Sequence, residues 1–302
     1  MAACRVCGNG NGNREHAARE LFLGFGDVFR YSECGRCESL SLVDVPEDLG
    51  QYYSGGYYSL VPESRLRRKL KAVRFRHAYG SRSLLGAVLT RVFGPADISW
   101  LTSVDVGLHE PILDVGCGSG EILRHLAALG FRDLTGVDPY AREDGEPRIL
   151  RGNERDAPRR DYKLVMMHHS LEHCVEPLDV LKTLRSLVAK EGYVLIRIPL
   201  AGKLAWRTYG VAWFQLDAPR HICLFSERAF RAAAGECGFA IESTRYDSAP
   251  TQFYASELYA RGIPQIRHRR PRGRERMRYV RLTDAANHSG DADQACFVMR
   301  PS

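Results

Sequence analysis

One segment in the middle of the chain constrains the fold more than any other. Residues 111–115 form the apolar run Pro-Ile-Leu-Asp-Val, and the motif Gly-x-Gly-x-Gly follows at 116–120. Residues 121–129 then repeat apolar side chains at helical spacing, and Gly130 is typical of a helix end. Glycines let the backbone pass close beneath a ligand, and a helix N-terminus offers free N–H groups. The segment therefore predicts a strand, a ligand-binding loop and a helix.

The rest of the chain alternates short apolar runs with helical patterns, which indicates a doubly wound α/β sheet of seven strands. Besides the run at 111–115, strands are predicted at 134–138, 148–152, 162–169, 192–199, 239–246 and 294–300. Helices are predicted at 177–188 and 226–237. Short strands that alternate with helices form a mostly parallel sheet with helices on both faces. The ligand is then expected at the carboxyl ends of the strands.

Four of the nine cysteines form two Cys-x-x-Cys pairs near the N-terminus, and this spacing predicts a zinc site. The pairs are Cys4 with Cys7 and Cys34 with Cys37. Two residues between thiols allow one tight turn to direct both sulfurs at one ion, and two such turns complete a tetrahedral site. Thiolates favour zinc, and four of them leave no open position, so the predicted Zn²⁺ is structural. The alternative is a set of buried or redox-active cysteines.

The segment between the two cysteine pairs contains two short apolar runs. Residues 21–23 and 28–31 are each short enough to be one strand of a zinc-ribbon-like module. We therefore expect a small β-ribbon between the pairs.

The glycine loop differs from the nicotinamide-binding pattern Gly-x-Gly-x-x-Gly, because Glu121 stands where the third glycine is needed. With Asp114 before it, the loop instead resembles motif I of class I S-adenosylmethionine (SAM)-dependent methyltransferases. The resemblance implies that the loop wraps the methionine part of SAM and that the acidic residue helps to hold its ammonium group through water or backbone. The implied SAM-binding residues of this segment are Asp114, Gly116, Cys117, Gly118, Ser119 and Gly120.

Two more polar residues fall at the same predicted edge of the sheet. Asp138 ends the second strand, where a carboxylate can accept hydrogen bonds from both ribose hydroxyls. Asn153 lies just past the third strand and is a candidate partner for the adenine amino group. Both positions agree with a SAM site at the carboxyl ends of the strands.

A narrower resemblance covers about residues 1–250 and the last strand. The chain resembles bacterial methyltransferases that carry an N-terminal two-knuckle zinc segment and are related to ubiquinone-pathway and deoxysugar methyltransferases. The motifs that carry the resemblance are Cys4 to Cys37, Tyr52-Tyr53, Tyr57-Tyr58, Leu171-Glu172-His173, Pro219-Arg220-His221 and Phe225-Ser226. It implies SAM-dependent O- or C-methylation of a small-molecule, sugar or glycan acceptor.

A methyl acceptor that is a hydroxyl or an acidic C–H needs a base, and histidine is the usual choice. His169 and His173 follow the fourth strand, and His221 lies in a segment expected to cover the acceptor. Glu172 is a weaker candidate. Each histidine has a structural alternative, namely strand-end packing, a hydrogen bond at a helix start, or support of a substrate lid.

Several aromatic residues could either contact ligands or pack the protein. Tyr52, Tyr53, Tyr57 and Tyr58 are expected at the mouth of the site or between the zinc module and the main domain. Trp206 and Trp213 could stack on a sugar ring, although packing is the safer expectation.

The net charge of +7 is concentrated in two basic runs. Residues 267–281 hold eight arginines and one glutamate, and residues 65–76 hold seven basic residues and no acid. Such runs could attract an anionic substrate or nucleic acid, or be solvated surface. An rRNA or tRNA methyltransferase is therefore the first alternative function. A non-catalytic SAM-fold scaffold that recruits a protein through its zinc module is the second.

The sequence suggests three parts. They are a zinc-binding module at 1–45, a helical linker or lid at 46–108, and a methyltransferase domain at 109–302 with a basic insertion at 261–292. The composition of that insertion suggests a partly mobile segment. No run approaches the roughly 18 apolar residues that a membrane helix needs, and a signal peptide is not evident, so we expect a cytoplasmic protein without a membrane span.

Overall fold

The computed structural model describes residues 3–53, 65–93, 100–141 and 147–302. The strands in this part of the chain are β1 Arg14–Arg19, β2 Val28–Glu33, β3 Leu40–Leu42, β4 Ile112–Val115, β5 Leu134–Asp138, β6 Arg148–Arg151, β7 Tyr162–His168, β8 Val188–Pro199, β9 Cys223–Leu224, β10 Phe239–Tyr246 and β11 Gln294–Pro301. The α-helices are α1 Arg65–Ala78, α2 Leu84–Phe93, α3 Glu121–Leu129, α4 Pro177–Leu187, α5 Leu204–Tyr209, α6 Glu227–Glu236, α7 Thr251–Ala260 and α8 Gly273–Ser289.

The main sheet has seven strands in the order β10-β11-β8-β7-β4-β5-β6, which confirms the predicted doubly wound fold. Strands β4 to β8 run parallel to one another, and β11 runs antiparallel to both β8 and β10. The chain moves outward from β4 through β5 to β6 and then returns to the other side of β4 with β7. This reversal opens a crevice at the carboxyl ends of β4 and β7, where such folds bind ligands.

Successive residues of the central strands of the main sheet are apolar, and they pack into a hydrophobic core on each face of the sheet. In β4, Ile112 packs with Leu123 of α3, whereas the next residue, Leu113, packs in the core that contains Leu181 of α4. Side chains alternate between the faces of a strand, so a continuous apolar run indicates burial on both sides. This explains why the strands near the site were recognisable from sequence. The largest difference in a strand boundary is at β8, which begins at Val188 and not at residue 192.

The N-terminal residues form a second, antiparallel sheet in the order β1-β2-β3-β9. Its last strand comes from the distant segment at 223–224, and the pairing joins Leu40 to Leu224. The prediction of a strand at 21–23 is wrong, because β1 lies earlier, at 14–19. The Glu20 carboxylate accepts hydrogen bonds of 2.8–3.0 Å from the N–H groups of residues 22–25, and this folds the segment into a turn.

The basic segment at 261–292 contains a regular helix, which its composition did not predict. Helix α8 buries Tyr279, Thr283 and Ala286, which recur at helical spacing beneath the arginines. The abundance of arginine conceals this short apolar stripe in the sequence. Within the described residues, no helix is both long and apolar enough to cross a membrane.

Candidate functional site

The loop between β4 and α3 brings backbone close to its neighbours in a way that only glycine permits. Gly116, Gly118 and Gly120 have positive φ angles of 73°, 54° and 76°. A Cβ atom on Gly116 would lie 2.3 Å from Cβ of Ser170, and one on Gly120 would lie 2.3 Å from Cδ1 of Ile149. L-residues with side chains rarely adopt this backbone, and the contacts leave no room for a methyl group. The alternating glycines therefore make a narrow cradle.

Asp114 lies in β4 just before this loop and carries a buried carboxylate. The residue is 1% exposed, and its Oδ2 has no hydrogen-bond partner among the described residues. Burial raises the pKa of Asp114 to about 8, and the charge of Asp138 adds to the effect. A buried carboxylate without a partner is unfavourable until a cation approaches it. The position suits a positively charged ligand.

Asp138 closes the loop from the end of β5. Its Oδ2 accepts a hydrogen bond of 2.9 Å from the N–H of Gly118, and its Oδ1 accepts one of 2.8 Å from the N–H of Tyr140. A carboxylate has about four acceptor positions, so both oxygens retain capacity for further donors. The predicted contacts with two ribose hydroxyls remain a prediction.

A cavity of about 450 Å³ lies over the loop, at the carboxyl ends of the strands. The residues around it include Tyr53, Asp114, Gly116 to Ser119, Asp138 to Tyr140, Gly152 to Glu154, Met167 to Ser170, His173 and Arg197. All the predicted SAM-binding residues line it except Gly120, which caps the start of α3. Asn153 is at the rim, where its Oδ1 accepts from the N–H of Arg155 at 2.9 Å; an adenine contact remains a prediction.

The residues present fit SAM on three counts. The volume is that of a small-molecule site. The glycine cradle admits a ligand against the backbone, and the unpaired Asp114 carboxylate with Asp138 beside it suits the sulfonium and ammonium charges of SAM. The cofactor would thus be held by this chain's loop and two carboxylates.

The three predicted histidines gather around the buried carboxylate of Glu172. His169 Nδ1 is 3.2 Å from Glu172 Oε1, and His221 Nε2 is 4.0 Å from the same oxygen. The rings of His173 and His221 are 4.8 Å apart in an edge-to-face arrangement. Glu172 is 1% exposed, and its Oε2 has no hydrogen-bond partner in the described part of the chain. The cluster can balance the charge of a histidine that gains a proton.

Backbone carbonyl groups determine which ring nitrogens carry protons. His173 Nδ1 lies 2.8 Å from the carbonyl oxygen of Arg220, and His221 Nδ1 lies 2.7 Å from that of Gln215. A carbonyl only accepts, so the proton of each neutral ring belongs on Nδ1 and the lone pair on Nε2. His169 and His173 line the cavity, whereas His221 is 4% exposed behind Glu172. Burial, with the nearby charge of His173, lowers the pKa of His221 to about 4.

The structure also brings in residues that the sequence reasoning missed. His168 lines the cavity beside His169, and burial lowers its pKa well below the usual value. Ser170 donates from Oγ to the carbonyl of Val115 at 2.8 Å, which ties the loop after β7 to the glycine loop. Arg197 lies at the end of β8 on the same wall. The carboxyl ends of predicted strands are the signal that could have found all three.

Of the predicted aromatic residues that the structure describes, one lines the cavity and three are buried in the protein. Tyr53 lines the cavity and its hydroxyl lies 3.0 Å from His173 Nδ1, whereas Tyr52 is buried and contacts Asp27. Trp206 and Trp213 are buried in the core and pack edge to face, which agrees with the expectation that they pack the protein. Tyr57 and Tyr58 lie outside the described residues.

The four N-terminal cysteines converge, and their geometry fits zinc. Cys4 Sγ is 3.6 Å from Cys37 Sγ, and Cys7 Sγ is 3.5 Å from Cys34 Sγ, with all four sulfurs within 4.8 Å of one another. Tetrahedral zinc with bonds of about 2.3 Å places its sulfurs a little under 4 Å apart. All nine cysteines are free. The set supplies four thiolates and no open position, as a structural site requires.

This chain is similar to solved structures at 12–16% identity. A chain of the complex between the Haloferax volcanii Trm112 methyltransferase activator and a methyltransferase aligns with a TM-score of 0.49 and 15% identity, over 75% of this chain and 97% of that one. The cyclopropane synthase MmaA2 from Mycobacterium tuberculosis has a TM-score of 0.44 and 12% identity, over 76% and 97%. A SAM-dependent methyltransferase from Archaeoglobus fulgidus has a TM-score of 0.43 and 16% identity, over 74% and 96%.

A comparison with curated proteins found no match. A family model described as a methyltransferase domain matches residues 77–244, which is more than half of the chain. That range contains the glycine loop, both carboxylates of the cavity and the three histidines. The chain therefore belongs to this methyltransferase family and is a class I SAM-dependent methyltransferase.

Proposed function

We propose that this enzyme methylates an oxygen or carbon atom of a small-molecule, sugar or glycan acceptor. One observation carries the proposal: His169 and His173 line the same cavity as the glycine loop and Asp114. A base beside the SAM site allows a hydroxyl or an acidic C–H to be deprotonated as it attacks. The narrower resemblance to sugar-modifying methyltransferases favours the same acceptors.

We propose His173 as that base. SAM supplies an electrophilic methyl group and leaves as the demethylated sulfide, so the chain has to align the acceptor and remove one proton. With its own proton on Nδ1 toward Arg220, His173 accepts the acceptor's proton on Nε2. The carboxylate of Glu172, buried in the same cluster, stabilises the imidazolium that results. His169 Nδ1, 3.2 Å from Glu172 Oε1, donates to this carboxylate.

The acceptor is tested with labelled SAM and three substrate classes: nucleotide sugars, quinone precursors and total RNA. We expect label in a small molecule or glycan, and the His173→Gln variant should lose at least about 100-fold of the rate, as expected for a general base. His16→Gln serves as the control, because His16 pairs with Glu33 in the N-terminal sheet. Label in RNA alone would refute the proposal.

An RNA acceptor is the second candidate, because the arginines of residues 267–281 are all exposed. Arg278 contacts Glu257 at 3.1 Å, and no ion pair forms for the other seven within the described part of the chain. Phosphate binding by such a surface weakens steeply with salt. Tight RNA binding that falls with salt and is lost in an Arg269→Gln/Arg270→Gln/Arg272→Gln variant would favour this candidate.

We also propose the division into a zinc module at 1–45, a helical linker or lid at 46–108 and a methyltransferase domain at 109–302. The cysteine geometry supports zinc in the first part. Pairing of β3 with β9 attaches that part to the third. Limited proteolysis should cut preferentially near residues 46–108 and leave the third part whole.

A further inference from the structure

A fully buried arginine joins the N-terminal module to the histidine cluster. Arg220 is 0% exposed. Its guanidinium donates to Glu20 Oε1 at 3.1 Å, to Asp217 Oδ1 at 2.6 Å and to the carbonyl oxygen of Tyr52 at 3.0 Å. Phe22 covers it, with the guanidinium carbon 4.6 Å from the ring centre. A buried guanidinium held by two carboxylates has one orientation, and removal of one partner is costly.

Glu20 is itself fixed and fully buried. Its two oxygens accept four hydrogen bonds from the N–H groups of residues 22–25, and it is 0% exposed. These four backbone hydrogen bonds fix the orientation of the carboxylate that faces Arg220. This carboxylate comes from the turn between β1 and β2, on the N-terminal sheet.

The backbone of the same arginine controls His173. His173 Nδ1 lies 2.8 Å from the carbonyl oxygen of Arg220 and 3.0 Å from the Tyr53 hydroxyl. A hydroxyl can donate or accept, whereas a carbonyl only accepts, so the Arg220 carbonyl is the group that places the proton on Nδ1. The N-terminal module braces this stretch from a second side, since Tyr31 donates from its hydroxyl to the carbonyl of His221 at 2.7 Å. Residues 217–221 are thus clamped between the N-terminal sheet and the histidine cluster.

We propose that Glu20 is a positioning residue for His173, acting through Arg220. By holding the guanidinium, Glu20 fixes the Arg220 carbonyl, and the carbonyl fixes the tautomer that leaves the His173 lone pair on Nε2. A base is effective only when a third group orients it. The N-terminal module is thereby part of the acceptor-side machinery. The inference rests on the proposed role of His173 as the base.

The tautomer of His173 is the direct test, and it needs no acceptor. Histidine-selective ¹⁵N labelling of the zinc-loaded full chain, at about pH 8 where histidines are mostly neutral, reports which ring nitrogen carries the proton. His173→Asn assigns the signal. We expect the Nδ1–H form to dominate in the wild type and to fall below about half of the population in Glu20→Gln, where Arg220 loses a charged hydrogen bond. Glu20→Asp keeps the charge and should restore part of the Nδ1–H population.

Glu33→Gln is the control, because Glu33 is a carboxylate of the same sheet, partly buried, that pairs with His16. It should leave the His173 signal unchanged. Should Glu20→Gln fail to fold, Arg220→Lys tests the same link, since an ammonium lacks the guanidinium fork that reaches Glu20, Asp217 and the Tyr52 carbonyl together. An Nε2–H form in the wild type, or an unchanged signal in a folded Glu20 or Arg220 variant, would overturn the proposal.

Calorimetry with the demethylated product of SAM separates this inference from the proposed function. Glu20→Gln should bind that product within about twofold of the wild type, because Glu20 does not line the cavity. Failure of the wild type to bind it would refute the proposed function and leave the tautomer result intact. Loss of binding in Glu20→Gln alone would mean that the variant disturbs the whole site, which would count against a specific link to His173.

Discussion

The carboxylate of Asp138 holds the glycine loop of a neighbouring strand: its Oδ2 accepts a hydrogen bond of 2.9 Å from the N–H of Gly118. The two residues lie at the ends of parallel neighbours, since β4 pairs with β5. The same carboxylate is the predicted partner of the ribose hydroxyls. Asp138 shapes the glycine loop. If it also binds the ribose as predicted, its removal should affect both the loop and SAM binding.

Asp138→Ala should weaken SAM binding by about 1–3 kcal/mol, because hydrogen bonds to a charged group are lost. Titration calorimetry with SAM and with its demethylated product measures the change. Asp133→Ala is the control, because Asp133 directly precedes β5, the strand that Asp138 ends, and pairs with Arg160 away from the cavity. Equal affinity of the Asp138 variant and the wild type would remove the ribose assignment.

Asp114→Asn should change how stability depends on pH. The pKa of Asp114 in the folded protein is about 8, above its ordinary value of 3.8, because the carboxyl is buried near Asp138. The folded state then binds the proton more tightly than the unfolded state, so stability is greatest below about pH 4 and falls as pH rises to about 8. This group alone contributes a slope of about 1.4 kcal/mol per pH unit in that range.

Chemical denaturation of the wild type and of Asp114→Asn at several pH values measures this slope as a difference. The variant should gain on the wild type as pH rises, and it should bind SAM more weakly because the cation loses its carboxylate. A constant difference in the free energy of unfolding from pH 5 to pH 9 would contradict the assigned burial and charge of Asp114.

The local units of the fold could be predicted from the sequence, and the contacts between distant segments could not. The strand, glycine loop and α3 follow from apolar period and glycine spacing over 20 residues (111–130). Glu20 and Arg220, in contrast, look like ordinary surface charges, and only the tertiary structure buries them together across 200 residues. Helix α8 was hidden for a related reason, since three buried residues carry its packing among many arginines.

The turn at residues 22–25 illustrates the same limit. Its apolar residues favour a strand by composition, yet a single carboxylate, Glu20, takes the four N–H groups that a strand would have used. Local hydrogen bonding to a side chain competes with the sheet in such cases. His169 and His173 were predicted because they follow a recognisable strand end, and His221 because it lies in the segment expected to cover the acceptor. Their grouping around Glu172 required the structure.

Cys4→Ser and Cys34→Ser should each abolish tight zinc binding, because a tetrahedral site loses one of four thiolates. Metal analysis of the wild type should find about one zinc ion per chain. The variants should also lose thermal stability, since the Cys37 carbonyl accepts a hydrogen bond from Ser226 at the start of α6. Cys237→Ser, outside the cluster, is the control and should keep its zinc.

Gly116→Ala should damage the SAM site through one identifiable contact. The new Cβ would lie 2.3 Å from Cβ of Ser170, and the φ angle of 73° adds backbone strain. Gly202→Ala isolates the strain, because Gly202 has a φ of 78° and nothing within 4 Å of the added atom. Calorimetry should find SAM affinity at least about tenfold lower in Gly116→Ala, equivalent to 1.4 kcal/mol, and unchanged in Gly202→Ala.

Ser170→Gly removes the clashing atom, so the double variant Gly116→Ala/Ser170→Gly should recover part of the affinity. A double variant no better than Gly116→Ala would mean that strain, and not the contact with Ser170, requires glycine at this position.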